Sequence, residues 1–258
     1  MPWTLSHPAA VLPLRRFTPK PLSFAALVVG SMTPDIGYYI NRFDLSDFAH
    51  TLPGSFAACV PTGVIMLVFF YLFSRPVCHA LPSPHRQALL PLCPDFPTSL
   101  TSWGLILVSL LLGAWTHNFW DAFTHENGWF VERIPWLQQP VTRLGSLDVH
   151  VYLVLQEGST VAGFVIVVLA YCFWLRRRPA APSPVAESDG WRYFFWFTII
   201  AVSFLLAVPA AAHQAAARSL HDFVFLRSLV FRTATYSSAV ALPLILIGTS
   251  AIYLQRSQ

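Results

Sequence analysis

Long apolar runs broken by short polar segments set the pattern of this chain. Five stretches, 54–74, 96–120, 158–175, 193–217 and 233–255, contain no Asp, Glu, Lys or Arg. Each approaches the roughly 20 helical residues that cross a bilayer core. The pattern predicts an all-α fold, a polytopic membrane helical bundle with about five full spans. Ahead of the first span, SHPAAVLPL (6–14) is apolar but too short to cross, RRFTPKP interrupts it, and PLSFAALVVGSMTP resumes the apolar run. This predicts an N-terminal helical hairpin that returns the chain, so that His7 at its start meets Asp35 at its end.

Composition agrees with a membrane reading. Of the 258 residues 55% are hydrophobic and 11% charged, against about 25% charged in ordinary soluble domains. In MPWTLSHPAAVLPLRR the arginines follow the apolar residues, the reverse of a cleavable signal, so the first helices are expected to stay. Cys59, Cys78, Cys93 and Cys172 lack disulfide-framework spacing and read as free thiols. The net charge of +4 is spread over short loops, not gathered in a basic patch with interleaved aromatics, which excludes nucleic acid as a partner.

Loop charge predicts orientation, because Lys and Arg stay cytoplasmic. Ten of the 16 fall on one side and six on the other, although Arg218, Arg227 and Arg232 pull against the bias. The side with ten is therefore expected to be the cytoplasmic one. Its opposite, outer face holds eight of the 12 acids and seven of the nine histidines, so that face is rich in metal-ligand types. RRRPAAPSPVAESDG (176–190) reads as a disordered cytoplasmic linker. It divides a single membrane domain into residues 1–175, which carry the candidate metal site, and 191–258, the two C-terminal helices. AAHQAAARSLHDFVFLR, from Ala211, has the period of an interfacial amphipathic helix.

The stretch GAWTHNFWDAFTHENGWF sets His117, Asp121 and His125 at intervals of four. On a helix each step turns about 400° and climbs about 6 Å, so the three share one stripe. The outer two, about 12 Å apart along the axis, are too distant for one ion with bonds of about 2.0–2.2 Å. Either Asp121 bridges two ions or one histidine serves another purpose. Further ligands are expected from Asp35 behind Thr33-Pro34, His50 in the next outer loop, and His7. Mixed imidazole and carboxylate donors of this kind suit a divalent metal, zinc first and manganese second, with bound water brought to a pKa of about 7. Gln156 and Glu157 lie well inside another apolar run, where an acid usually faces the protein interior. They, with His150 on the same face as Glu157, are expected to support the ligands.

These residues also carry a resemblance. SHPAAVLPL, GSMTPDIGYY, GAWTHNFWDAFTHENGW and LQEGST (155–160) resemble a bacterial integral-membrane family described as a domain of unknown function, over most of residues 1–165. More distantly, the order His, Pro-Asp, His, His-x-x-x-Asp is similar to the inner-membrane metal-dependent hydrolases and to zinc-dependent phospholipase C. The chain lacks an HRG-THS-like stretch around His50. The resemblance implies a metal-dependent hydrolase of the bacterial cytoplasmic (inner) membrane, its site on the outer face, with ligands His7, Asp35, His50, His117, Asp121 and His125.

The expected function is hydrolysis of a phosphoester or ester of a lipid or envelope component by a metal-bound hydroxide at the membrane rim. Asp121 bridges or orients, and Glu157 or Asp35 assists proton transfer. The partners are then the lipid bilayer and a lipid-derived substrate. The alternative is a non-enzymatic polytopic membrane protein, a carrier or a metal-binding assembly factor, or a pure scaffold. A carrier predicts polar groups continuing through the helices, and several of these helices are almost free of them.

Overall fold

The computed structural model describes residues 3–17, 22–178, 188–217 and 223–256. Five of its helices are long and apolar enough to cross a bilayer: Leu52–Ala80, Leu100–Asp121, Val151–Arg176, Gly190–Ala216 and Phe223–Gln255. The chain is an all-α, polytopic integral membrane protein, as the hydrophobic pattern predicts. Ile65, Leu72, Phe197, Leu205 and Ile247 stand exposed on these helices, which is the arrangement a hydrocarbon solvent favours. The spans agree with the apolar runs to within a turn or two at most ends. The third begins seven residues earlier than the uncharged run, at Val151, and the fifth ten residues earlier, at Phe223.

The first spans are preceded by short helices. α1 (Pro8–Phe17) starts at a proline, which fits the first helical position because its missing N–H would be unpaired there in any case. α2 (Phe24–Gly30) starts at Ser23, whose side chain accepts from the Ala26 N–H. These two are the expected hairpin; of its basic turn, Arg15 and Arg16 continue α1, and 18–21 lies outside the described residues. A 3-10 turn at Thr33–Asp35 leads into α3 (Ile36–Tyr39) and α4 (Phe43–Ala49). The first span combines α5 (Leu52–Gly54), a π-turn (Ser55–Cys59) and α6 (Val60–Ala80). Then follow α7 (His85–Leu89), α8 (Leu100–Asp121), α9 (Val151–Arg176), α10 (Gly190–Ala216) and α11 (Phe223–Arg256).

The chain separates into two compact units, Met1–Leu67 with Pro97–Ala170, and Val68–Phe96 with Tyr171–Gln258. In the first, α2 lies directly against α8. A Cβ on Gly30 would meet the Leu110 carbonyl oxygen at 2.2 Å, and one on Gly113 would meet the Leu27 carbonyl oxygen at 2.3 Å. Small residues on both helices therefore allow backbone-to-backbone approach, the usual device where lipid tails remove any hydrophobic drive for association. α9 is held against the N-terminal segment: the Trp3 N–H donates to Thr160 Oγ1 and the Ser6 hydroxyl to the Thr160 carbonyl.

In the second unit α10 and α11 pack along their length. The N-terminus of α10 is tied to the end of α6 by Arg192, fully buried, which donates to Asp189 and to the His79 carbonyl, and by the Trp196 indole on the Ala80 carbonyl. Arg227 and Arg232, expected in a loop, lie on α11. Arg232 is buried and donates to Gln214 and the Tyr236 hydroxyl. Of the expected amphipathic segment, His213 lies on α10, while Arg218 and His221 lie outside the described residues, as does 179–187 of the linker.

Among the described residues two short strands interrupt the helices. β1 (Pro140–Leu144) and β2 (Leu147–His150) form an antiparallel hairpin in the loop between α8 and α9. Gly145 at its turn has φ 64°, a conformation glycine adopts freely.

Candidate metal centre

The α2–α8 crossing fixes the centre. Gly113 lies one helical turn before His117 and seats the chain against Gly30 and Ser31, so His117 Nδ1 comes within 2.8 Å of the Ser31 carbonyl oxygen. That nitrogen donates, which in the neutral ring leaves Nε2 its lone pair. His50, at the end of α4, repeats the arrangement by local geometry: its Nδ1 is 2.7 Å from the carbonyl of Ser46, four residues earlier. A backbone carbonyl on one imidazole nitrogen is the usual means of fixing the tautomer of a metal-binding histidine. Asn118, beside His117, donates to the Ala49 carbonyl and Ser55 Oγ and so ties the His50 segment to α8.

The two Nε2 atoms face each other at 3.3 Å. Asp121 Oδ2 is 3.2 Å from each. Asp35 Oδ1 is 3.5 Å from His117 Nε2 and 3.9 Å from His50 Nε2. Asp35 is oriented by Thr4, whose hydroxyl donates to its other oxygen, Oδ2, at 2.6 Å. Four lone-pair atoms on Asp35, His50, His117 and Asp121 thus converge, all within 4.8 Å of one another. Donors about 2.0–2.2 Å from one centre form a tetrahedron with edges of about 3.3–3.6 Å. The measured separations bracket that range.

Electrostatics call for a positive charge at the centre. His117 and Asp35 are fully buried and Asp121 nearly so, and burying acceptors without a donor or cation among them is costly. A proton on His117 Nε2 serves one carboxylate at a time and leaves His50 Nε2 facing it. A divalent ion satisfies all four. The cluster can hold a metal ion.

Around the four, the remaining expected residues occupy different places. His7 stacks on His117 with centroids 3.5 Å apart. Its nearest carboxylate oxygen is Asp121 Oδ1 at 3.7 Å, while the hydroxyl on Asp35 is that of Thr4, which sequence reasoning missed. Burial pushes His7 down to about 3, so its ring is neutral. His125 directs Nδ1 to the Asp121 carbonyl at 3.1 Å, and its Nε2 is 3.4 Å from the Gln156 amide nitrogen. Burial lowers its pKa too. It stands at the edge of the cluster and is not one of the four.

Glu157 is exposed on α9, whereas Gln156 is buried and faces His125. One residue of helix is about 100° of rotation, enough to turn Glu157 away. His150 ends β2 and stacks on Tyr152. The cluster opens on the side of His50 and His125, whose side chains are 21% and 29% exposed.

Residues 1–247 match the family described as Domain of unknown function (DUF4184). The chain belongs to that family. The match runs beyond residue 165 and takes in the C-terminal helices, for which the sequence offered no motif. Comparison with curated proteins and with solved structures finds no match.

Proposed function

We propose that this member of the family is a membrane-embedded metal-dependent hydrolase of the bacterial inner membrane, acting from the outer face on a phosphoester or ester of a lipid or envelope component. One observation carries the reading. Four side-chain atoms able to ligate a metal, from three separate segments, converge within 4.8 Å of one another at the end of a membrane span. When bound, a zinc or manganese ion supplies an acidified water and polarises the ester oxygen.

The residues support that chemistry in distinct ways. Asp35 and Asp121 balance the charge of one divalent ion, and Thr4, Ser31 and Ser46 fix the donors. Asp35, His50, His117 and Asp121 would hold the ion, and the ion would supply the Lewis acidity for water and ester. The exposed edges of His50 and His125 mark the side of entry. His125, neutral and at that opening, is placed to exchange protons with solvent. Asp35 and Asp121 touch the reacting centre, and the exposed position of Glu157 weighs against a catalytic part for it. His117 and Asp121 lie in the last turns of α8, within reach of headgroups, which favours an amphiphilic substrate.

A carrier needs polar groups along its path, and Leu105–Leu112 of α8 is apolar apart from Ser109. The test is elemental analysis of the purified protein, together with hydrolysis of a panel of lipid phosphoesters and esters by wild type and His117→Ala. The reading requires a stoichiometric ion and turnover in wild type and neither in the variant. A full ion complement without turnover on any ester class would leave an ion-binding assembly factor instead.

A further inference from the structure

His7 and the second oxygen of Asp121 are left outside the tetrahedron. We propose that they hold a second divalent ion, bridged to the first by the Asp121 carboxylate; this deepens the hydrolase reading and rests on its first ion.

Asp121 Oδ2 faces His50 and His117. Oδ1 points elsewhere, buried and without a hydrogen-bond partner, and so is His7 Nε2. The two are 3.7 Å apart, too far to bond each other, yet close to the separation of two donors on one ion, about 3.3–3.6 Å. Both side chains are more than nine-tenths buried.

Ring geometry explains why His7 is not a fifth ligand of the first ion. An imidazole lone pair lies in the plane of its ring. The His7 and His117 rings are stacked, 15° from parallel, with centroids 3.5 Å apart. An ion held by His117 and an ion held by His7 therefore lie in different, nearly parallel planes about one ring spacing apart. That spacing is close to the roughly 3.5–4 Å between the metals of two-metal hydrolytic sites.

The second ion has two protein donors where the first has four, so it binds more weakly and keeps more positions for water or substrate. The carboxylates of Asp35 and Asp121 balance only the first ion. The loaded pair then carries excess positive charge, which an anionic phosphoester offsets and a neutral carboxylic ester does not.

The experiment is titration of the full chain in detergent with Mn²⁺, counting bound ions and recording their electron paramagnetic resonance. Wild type is expected to take up two ions with an exchange-coupled spectrum, and His7→Gln one ion with the six-line spectrum of an isolated Mn²⁺. One uncoupled ion in wild type, or two ions retained by His7→Gln, overturns the second site and leaves the four-donor site standing. No bound ion in wild type overturns both. If His7→Gln does not fold, the wild-type count and coupling decide alone.

Discussion

The Nε2 atoms of His50 and His117 face each other at 3.3 Å, although 67 residues separate them in sequence. Each ring gives its Nδ1 proton to a backbone carbonyl, so two lone pairs are held together with two carboxylates. A shared divalent cation satisfies all four at once. His50→Ala and His117→Ala are each expected to reduce the bound ion to background. His125→Ala is expected to retain it, because that ring gives its Nδ1 to a carbonyl and turns its Nε2 to Gln156. Elemental analysis of the three purified variants checks this.

Backbone approach at Gly113 is what brings Ser31 to His117. A Cβ there would sit 2.3 Å from the Leu27 carbonyl oxygen and 2.8 Å from the Ser31 nitrogen, and neither backbone atom can yield as a side chain would. Gly113→Val is therefore expected to move α2 from α8 and lose the ion, although no ligand is changed. Elemental analysis with thermal unfolding would show both the loss and a lowered Tm; an unaltered ion content would separate the helix crossing from the site.

The spans were legible because each is a run of some twenty residues without charge, a signal that survives almost any tertiary context. Asp35, His117 and Asp121 were legible for the opposite reason, as costly polar groups beside apolar runs. His50 had only its position in the outer loop to recommend it, and it is one of the four. Its signal is local, a residue whose carbonyl lies four positions back on a short helix. Thr4 and Gln156 were not separable from ordinary capping and packing residues, since their roles depend on which segment arrives opposite. Glu157 drew attention as the charged neighbour, and a 100° turn decides between it and Gln156. The hairpin at 140–150 did have a short-range sign, Gly145-Ser146 between Leu144 and Leu147, of the kind that closes two-residue turns.

Thr4 touches no ion, yet its hydroxyl fixes which oxygen of Asp35 faces the cluster. Thr4→Val keeps the shape and removes the bond. Loss of such an outer partner typically weakens metal affinity about 10–100-fold. The expected outcome is a site that still fills at high ion concentration but with an apparent Kd raised by that factor, read by competition against a chelator of known affinity.

Glu157→Gln removes a charge from an exposed position on α9. Its effect on ion content is expected to be nil, and its effect on stability within about 0.5 kcal/mol, as for most surface changes. A marked loss of bound ion in this variant would return Glu157 to the site.

Removing the ion should itself weaken the fold. The donors come from the 3-10 turn after α2, the end of α4 and the last turns of α8, so the ion joins three segments that otherwise repel through converging lone pairs. An ion that binds only the folded chain stabilises it by an amount set by its concentration over Kd, about 2.7 kcal/mol at a hundredfold excess. Excess chelator is therefore expected to lower the Tm in detergent, and added Zn²⁺ or Mn²⁺ to restore it in proportion to the logarithm of free ion. His117→Ala separates this linkage from any general effect of chelator on micelles, because its Tm should be indifferent to both. If chelator shifts wild type and variant equally, the ion is not held where these four side chains meet.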